Sequence, residues 1–274
     1  MSGLSITKLH PSLGAEVSGV DLHASVDAET KAALSAALSE HLVLVLRDQS
    51  FTPPEYLAVA DAFGTLMRQH YSQHNMADYP DIGIILHRDG QKPASMWHTD
   101  HTNRERPPKA TMLYGLTVPK EGGETSIANM RAAYAGLPEA ERRQLKMLTT
   151  LNSIDAHRTD VLPEDREKYG VPVAHPLVRT HPEHGSNAIY FHITKAFEIE
   201  GMTADASQAL MQDLLDRTIT PENTYTHRWR KGDLMIMDNR ATMHRAHGDY
   251  DRSQDRELWR LIVQGDRPYL QGTP

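Results

Sequence analysis

Beyond Gly64 the chain breaks into short β-type segments separated by turn residues, and helical spacing returns only over about 139–148 and 204–217. This pattern narrows the fold more than any other feature. A parallel α/β fold needs strands and helices in regular alternation; a chain without it must pack its sheets on one another or close them. The candidate strands are 110–118, 124–129, 173–180, 187–193, 225–230, 234–238, 241–246 and 257–264. The stretch His181-Pro182-Glu183-His184-Gly185-Ser186 fits a hairpin loop, and Lys231-Gly232-Asp233 a tighter turn. Ahead of Gly64 the signals are different. Asp27 can cap a helix over about 28–41, where Leu34, Ala37, Leu38 and His41 recur at spacings of three and four. It runs into Leu42-Val43-Leu44-Val45-Leu46, a continuous apolar run of buried-strand type. Thr52-Pro53-Pro54-Glu55 joins a capping box to proline at the first helical position; Tyr56, Ala60 and Phe63 make one face of the next helix, which Gly64 can end. The expectation is a mainly β fold with flanking helices (a sandwich, jelly roll or small barrel) in a single domain over 1–274.

Composition then limits the chemistry. The chain has no cysteine, 16 histidines and a formal net charge of -7. Without cysteine there is no disulfide scaffold, no thiolate nucleophile and no metal site with sulfur ligands. Any metal must sit on imidazole nitrogen and carboxylate oxygen. The acidic balance disfavours a nucleic-acid partner. No apolar run approaches a membrane span or a signal peptide, so no membrane partner and a cytoplasmic location are expected.

Trp97-His98-Thr99-Asp100 offers such a donor pair. On a strand, residues two apart share a face, so His98 and Asp100 can present a nitrogen and an oxygen to one point. A third ligand must come from elsewhere, and His244 is the C-terminal candidate. Two histidines and one carboxylate form the facial triad of non-heme Fe(II) oxygenases. The commoner alternatives stay open: a surface or capping His98 bonded to Asp100, and a His244 with no metal to hold. The last strand adds a second cue. Alternation puts Arg256, Leu258, Arg260 and Ile262 on one face, with the two arginines roughly 13 Å apart along it. Each guanidinium can grip a carboxylate or sulfonate bidentately, although solvated strand arginines would show the same pattern.

Taken in order, these segments resemble the taurine dioxygenase / 2,4-dichlorophenoxyacetate dioxygenase family of Fe(II)/2-oxoglutarate-dependent oxygenases. The resemblance runs from Leu13-Gly14-Ala15-Glu16 to Gly265-Asp266. It rests on Trp97-His98-Thr99-Asp100, Gly122-Gly123-Glu124-Thr125, Met130-Arg131-Ala132-Ala133-Tyr134, His175-Pro176-Leu177-Val178-Arg179-Thr180-His181-Pro182, Trp229 with Gly232-Asp233, and Asp238-Asn239-Arg240 through His244. It implies a double-stranded β-helix, a cupin-like jelly roll. His98, Asp100 and His244 would be the iron ligands. Thr125 and Arg256 would hold the distal carboxylate of the co-substrate 2-oxoglutarate, and Arg260 would lie near the substrate's anionic group and the co-substrate. The implied reaction consumes O2, releases succinate and CO2, and hydroxylates a C–H bond. It needs no general base.

Members of that family act on small organic anions and commonly assemble as dimers or tetramers, so a homo-oligomer is expected. The texture of 130–138 and 225–257 is closer to the aryloxyalkanoate branch, with sulfonates such as taurine next. Taurine-type enzymes carry a substrate-contacting histidine shortly after the Phe-Gly matching Phe63-Gly64; here the ungapped position is Gln69, with His70 beside it. An asparagine before the family's H-x-D is also missing. His70 and His101 are the candidate substrate contacts, His101 being equally readable as solvent-facing, and Arg68 and Arg88 could also reach an anion. Segments 66–95 and 157–171 are expected to be mobile lid loops. Two rivals share the ligands: a zinc- or manganese-dependent cupin-type hydrolase or isomerase, and a non-catalytic small-anion binding protein. The first has no use for Thr125 and Arg256 as a carboxylate clamp, and intact iron ligands argue against the second.

Overall fold

The computed structural model of the chain describes residues 3–87, 94–154, 156, 161–251 and 253–272. The N-terminal part consists of β1 (Ser5–Lys8), β2 (Ala15–Ser18), α1 (Ala28–His41), β3 (Val43–Leu46), α2 (Pro53–Val59) and β4 (Gly83–His87). Next come β5 (Pro108–Thr117), β6 (Thr125–Asn129), α3 (Met130–Ala135), α4 (Glu139–Leu145), β7 (Thr149–Asn152) and α5 (Pro163–Tyr169). Then follow β8 (Val173–Pro176), β9 (Val178–Thr180), β10 (Asn187–Ile189), β11 (Ala196–Ile199) and α6 (Ala204–Thr218). The chain ends with β12 (Thr224–His227), β13 (Leu234–Asp238), β14 (Thr242–Ala246) and β15 (Arg256–Gln264).

A seven-stranded sheet in the order β1-β2-β3-β13-β5-β15-β4 forms one layer; β12-β6-β14, β11-β7-β8 and the β9–β10 hairpin supply the other. This is a jelly roll with flanking helices. Side-chain alternation in the large sheet explains the sequence pattern. Val43, Val45, Leu113, Met235, Met237 and Leu258 face the interior between the layers, where they meet Ile127, Met243, Val178 and Phe191. Their neighbours Leu44, Leu46, Met112, Tyr114, Leu234, Ile236, Trp259 and Leu261 face outward, where Leu34 and Leu38 of α1 and Tyr56 and Val59 of α2 cover them. The sheet is thus buried on both faces, and β3 can be apolar at every position.

The local signals resolve as follows. Asp27 caps α1 by accepting the Thr30 N–H at 2.7 Å. Leu42, expected to begin a strand, instead adopts φ 64° as the helix cap, its N–H bonded to Leu38 O. Glu55 accepts the Thr52 N–H at 2.7 Å, completing the capping box of α2. The expected strand over 173–180 is two strands, because at Leu177 the chain changes partners: its N–H donates to Leu148 O, and its carbonyl accepts the Tyr190 N–H. The strand expected over 187–193 ends at Ile189, and the one over 225–230 ends at His227. The helix expected over 139–148 stops at Leu145.

Both expected lid segments are partly packed rather than open. Gly83–His87 of the first is an edge strand on β15. Tyr71 from the same segment packs with Ile154, Val161 and Tyr169, and its backbone N–H donates to the Asp165 carboxylate at 3.0 Å. Arg88 and residues 157–160 lie outside the described residues.

Candidate active site

His98 and Asp100 are not on a strand. His98 forms isolated antiparallel bridges, to His244 of β14 on one side and to His192 on the other. The His98 N–H donates to His244 O at 3.0 Å, and the His244 N–H donates to His98 O at 2.7 Å. Residues directly opposite in such a pair project to the same side, and the two imidazoles lie 4.3 Å apart between ring centroids. Asp100 joins them from a bend two residues on. One ligand atom from each of His98, Asp100 and His244 lies within 4.8 Å of the others.

Hydrogen bonds orient these groups. His98 Nδ1 faces Met96 O at 2.9 Å, which makes Nδ1 the protonated nitrogen and leaves Nε2 for a metal. Thr111 donates its hydroxyl to Asp100 Oδ2 at 2.5 Å, and Asn239 Nδ2 in turn donates to Thr111 Oγ1 at 2.8 Å. The other carboxylate oxygen, Oδ1, is 4.0 Å from His98 Nε2. An outer shell of this kind fixes the direction of a metal ligand. Burial pulls the His98 pKa down and the His244 pKa down to about 3, so both rings are neutral. Burial also opposes ionisation of Asp100, but His244, Arg260, His98 and the Thr111 hydroxyl outweigh it and hold the carboxyl below its usual range. Two neutral imidazoles and one carboxylate are the protonation states a divalent ion requires. The donor set fits Fe(II).

Sequence reasoning missed His192, whose ring is 4.8 Å from that of His98. It does not join the ligand cluster. A second grouping among the described residues, Glu124, His247 and Asp249, is largely half-buried, and its His247 Nε2 is engaged by the Ser126 hydroxyl at 2.8 Å.

The β15 arginines keep the predicted phase. Leu258, between them, faces the interior cluster, whereas Trp259 and Leu261 face the outer one. Arg256 is 1 % exposed and donates Nε–H to Gly123 O at 3.1 Å. Its Nη2 is buried with no hydrogen-bond partner, and burial presses its pKa down to about 10. No carboxylate pairs with it among the described residues. Gly123 comes this close because it holds φ +71°, which a side chain would strain. Two residues on, Thr125 opens β6 and accepts the Trp229 indole N–H at 3.0 Å, which leaves its own hydroxyl proton to donate.

Arg260 lies beside the triad, and its charge acts on Asp100, His98 and His244. His101 and His70 are both buried and bonded ring to ring, Nδ1 to Nε2, at 2.7 Å. The solvent-facing alternative for His101 is therefore excluded. Burial lowers both pKa values well below the ordinary histidine range. Arg68 is engaged elsewhere, with its Nε 2.9 Å from Asp81 and its side chain largely in solvent.

Residues 5–262 match the family described as taurine catabolism dioxygenase TauD, TfdA family. An alkylsulfatase of Acinetobacter baylyi is 33% identical over 278 residues, covering 96% of this chain and 86% of its own. An alpha-ketoglutarate-dependent 2,4-dichlorophenoxyacetate dioxygenase of Cupriavidus pinatubonensis is 30% identical over 279 residues, covering 94% and 96%. Among solved structures, a putative alpha-ketoglutarate-dependent taurine dioxygenase from Burkholderia xenovorans superposes with a TM-score of 0.85 at 32% identity, covering 99% of this chain and 93% of that one. The chain belongs to the TauD, TfdA family, and it is a dioxygenase that uses Fe(II), 2-oxoglutarate and O2. Among the described residues, no helix is long and apolar enough to cross a membrane.

Proposed function

We propose that His98, Asp100 and His244 hold Fe(II), that Thr125 and Arg256 bind the distal carboxylate of 2-oxoglutarate, and that Arg260 receives the anionic head of the substrate. His101 and His70 line the substrate side. The observation that carries this reading is the buried Arg256 guanidinium, whose Nη2 has no hydrogen-bond partner and with which no carboxylate pairs among the described residues. A buried, unpaired charge is costly unless a ligand neutralises it. A dicarboxylate reaching from the triad to Arg256 supplies that partner. A hydrolase or isomerase leaves the arginine unexplained, and a passive binding protein leaves the His98, Asp100 and His244 cluster without a use.

Fe(II) supplies, when bound, the O2 activation that couples decarboxylation of 2-oxoglutarate to hydroxylation of a substrate C–H bond. The chain's own residues bind, orient and exclude water. Thr125 donates a hydrogen bond to the co-substrate carboxylate, and Arg256 neutralises its charge. The Asn239–Thr111–Asp100 relay keeps one carboxylate oxygen turned toward the histidines.

The substrate is a small organic anion. Aryloxyalkanoates come first and sulfonates next, and the alkylsulfatase relative adds alkyl sulfates. A single domain over 1–274 and a cytoplasmic location rest on the sequence pattern, and assembly as a dimer or tetramer on the family resemblance. The test is succinate release from the Fe(II)-loaded protein with phenoxyacetate, 2-phenoxypropionate, hexyl sulfate or taurine. At least one class should stimulate release about tenfold or more over the substrate-free rate; no stimulation by any of them refutes the substrate assignment.

A further inference from the structure

Gln69 occupies the position where the taurine-type pattern places a substrate-contacting histidine, and it is 3 % exposed. Its carboxamide makes two hydrogen bonds, both to one residue. Oε1 accepts from Arg260 Nε at 2.6 Å, and Nε2 donates to the Arg260 backbone carbonyl at 3.0 Å. A single amide therefore fixes both the main chain and the side chain of this arginine. The neighbouring strand leaves room for it. Gly83 pairs with Arg260 in the β4–β15 register, and a Cβ there would lie 2.5 Å from Gln69 Nε2 and 2.8 Å from Oε1. Any larger residue at 83 would push the amide off the arginine.

A guanidinium offers two edges for bidentate contact, one through Nε and one between its two terminal nitrogens. Gln69 takes the first. The second is open: among the described residues, neither terminal nitrogen of Arg260 has a hydrogen-bond partner. The arginine also lies close enough to Asp100, His98, His244, His101 and His70 for its charge to act on all five. On β15, Arg260 is in phase with Leu258, which faces the interior, so its side chain extends to the side of the sheet that holds the triad.

We propose that Gln69 is a positioning residue that locks Arg260 by its Nε edge, so that the substrate's carboxylate or sulfate docks on the terminal-nitrogen edge and the C–H bond to be attacked is held in one direction from the triad. This rests on the proposed function and adds the specificity device to it. An unlocked arginine would still attract the anion, but it would lose rotamer freedom on binding and present the substrate in several orientations.

The test uses the Fe(II)- and 2-oxoglutarate-loaded enzyme with phenoxyacetate and hexyl sulfate as probes. Hydroxylation of the probe carbon that bears oxygen gives a product whose C–O bond then breaks, leaving a carbonyl and expelling phenol or sulfate. Gln69→Leu, which removes both hydrogen bonds, should raise the probe KM about tenfold and increase the succinate formed per phenol or sulfate released. The KM for 2-oxoglutarate and the anaerobic Fe(II)–2-oxoglutarate charge-transfer band should stay near wild type. Gln69→Glu, which sets a carboxylate against the guanidinium, should raise the probe KM further. In an Arg260→Lys background, which has no Nε to lock, Gln69→Leu should add nothing. The proposal is overturned by an unchanged probe KM in Gln69→Leu, by an equal effect in the Arg260→Lys background, or by a wild-type enzyme that responds to neither probe nor to inorganic sulfate. Failure of the underlying reading is seen separately, as absence of the charge-transfer band in wild type.

Discussion

Asp100→Ala is expected to lower substrate-driven succinate release by about a thousandfold or more and to leave no stoichiometric Fe(II) on the protein after desalting. Asp100 is the only anionic donor of the cluster. Without it, a divalent ion meets two neutral imidazoles in a buried site, and nothing balances its charge. Asp100→Asn is the informative companion. It keeps the shape and an oxygen to accept the Thr111 hydroxyl, so folding should be preserved while iron retention still fails. His98→Ala and His244→Ala should behave like Asp100→Ala. His192→Ala should not, although its ring lies 4.8 Å from His98. Iron per polypeptide, measured beside the succinate rate, checks all five variants. Full iron retention in Asp100→Ala, or its loss in His192→Ala alone, would assign the ligands differently.

Arg256→Leu separates co-substrate binding from metal binding. Removing one partner of a desolvated charge pair costs about 2–5 kcal/mol, so the half-saturating concentration of 2-oxoglutarate should rise on the order of a hundredfold. Iron loading should be close to wild type, since Arg256 is not among the residues whose charge acts on the triad. The effect on folding runs the other way. Without ligand, the arginine is a buried charge with its pKa pressed down to about 10. Replacement by an apolar side chain should therefore leave the thermal midpoint of the ligand-free protein unchanged or higher. Wild-type 2-oxoglutarate affinity in Arg256→Leu, or a large fall in ligand-free stability, would make this arginine structural.

The parts of the molecule legible in the sequence are those whose cause is local. Asp27 caps its helix by accepting a backbone N–H three residues on, and Glu55 reaches back three residues to the Thr52 N–H; each is visible in a short window. The phase of Arg256 and Arg260 follows from alternation within one strand. What could not be read depends on distant partners. β1 is exposed at all four positions and exists because β2 pairs with it, so it shows no apolar alternation. β4, β7 and β11 are short, and partners elsewhere in the chain define them. The strand expected beneath His98 and Asp100 is an isolated bridge at His98 followed by a bend at Asp100, and the two side chains still meet within 4.8 Å. His192 reaches His98 from a loop 94 residues later through a single bridge. Gln69 and Arg260 are 191 residues apart, and no local pattern announces their contact.

The most direct test of the account is spectroscopic. Anaerobic addition of Fe(II) and then 2-oxoglutarate to the purified protein should produce a visible metal-to-ligand charge-transfer band, because the keto acid can chelate iron held by three protein ligands. The band should saturate at one iron per chain, be absent from Asp100→Ala, and give way to succinate when air and a substrate anion are admitted. No band in the wild-type protein at saturating Fe(II) and 2-oxoglutarate, together with no succinate on aeration, would contradict the central claim.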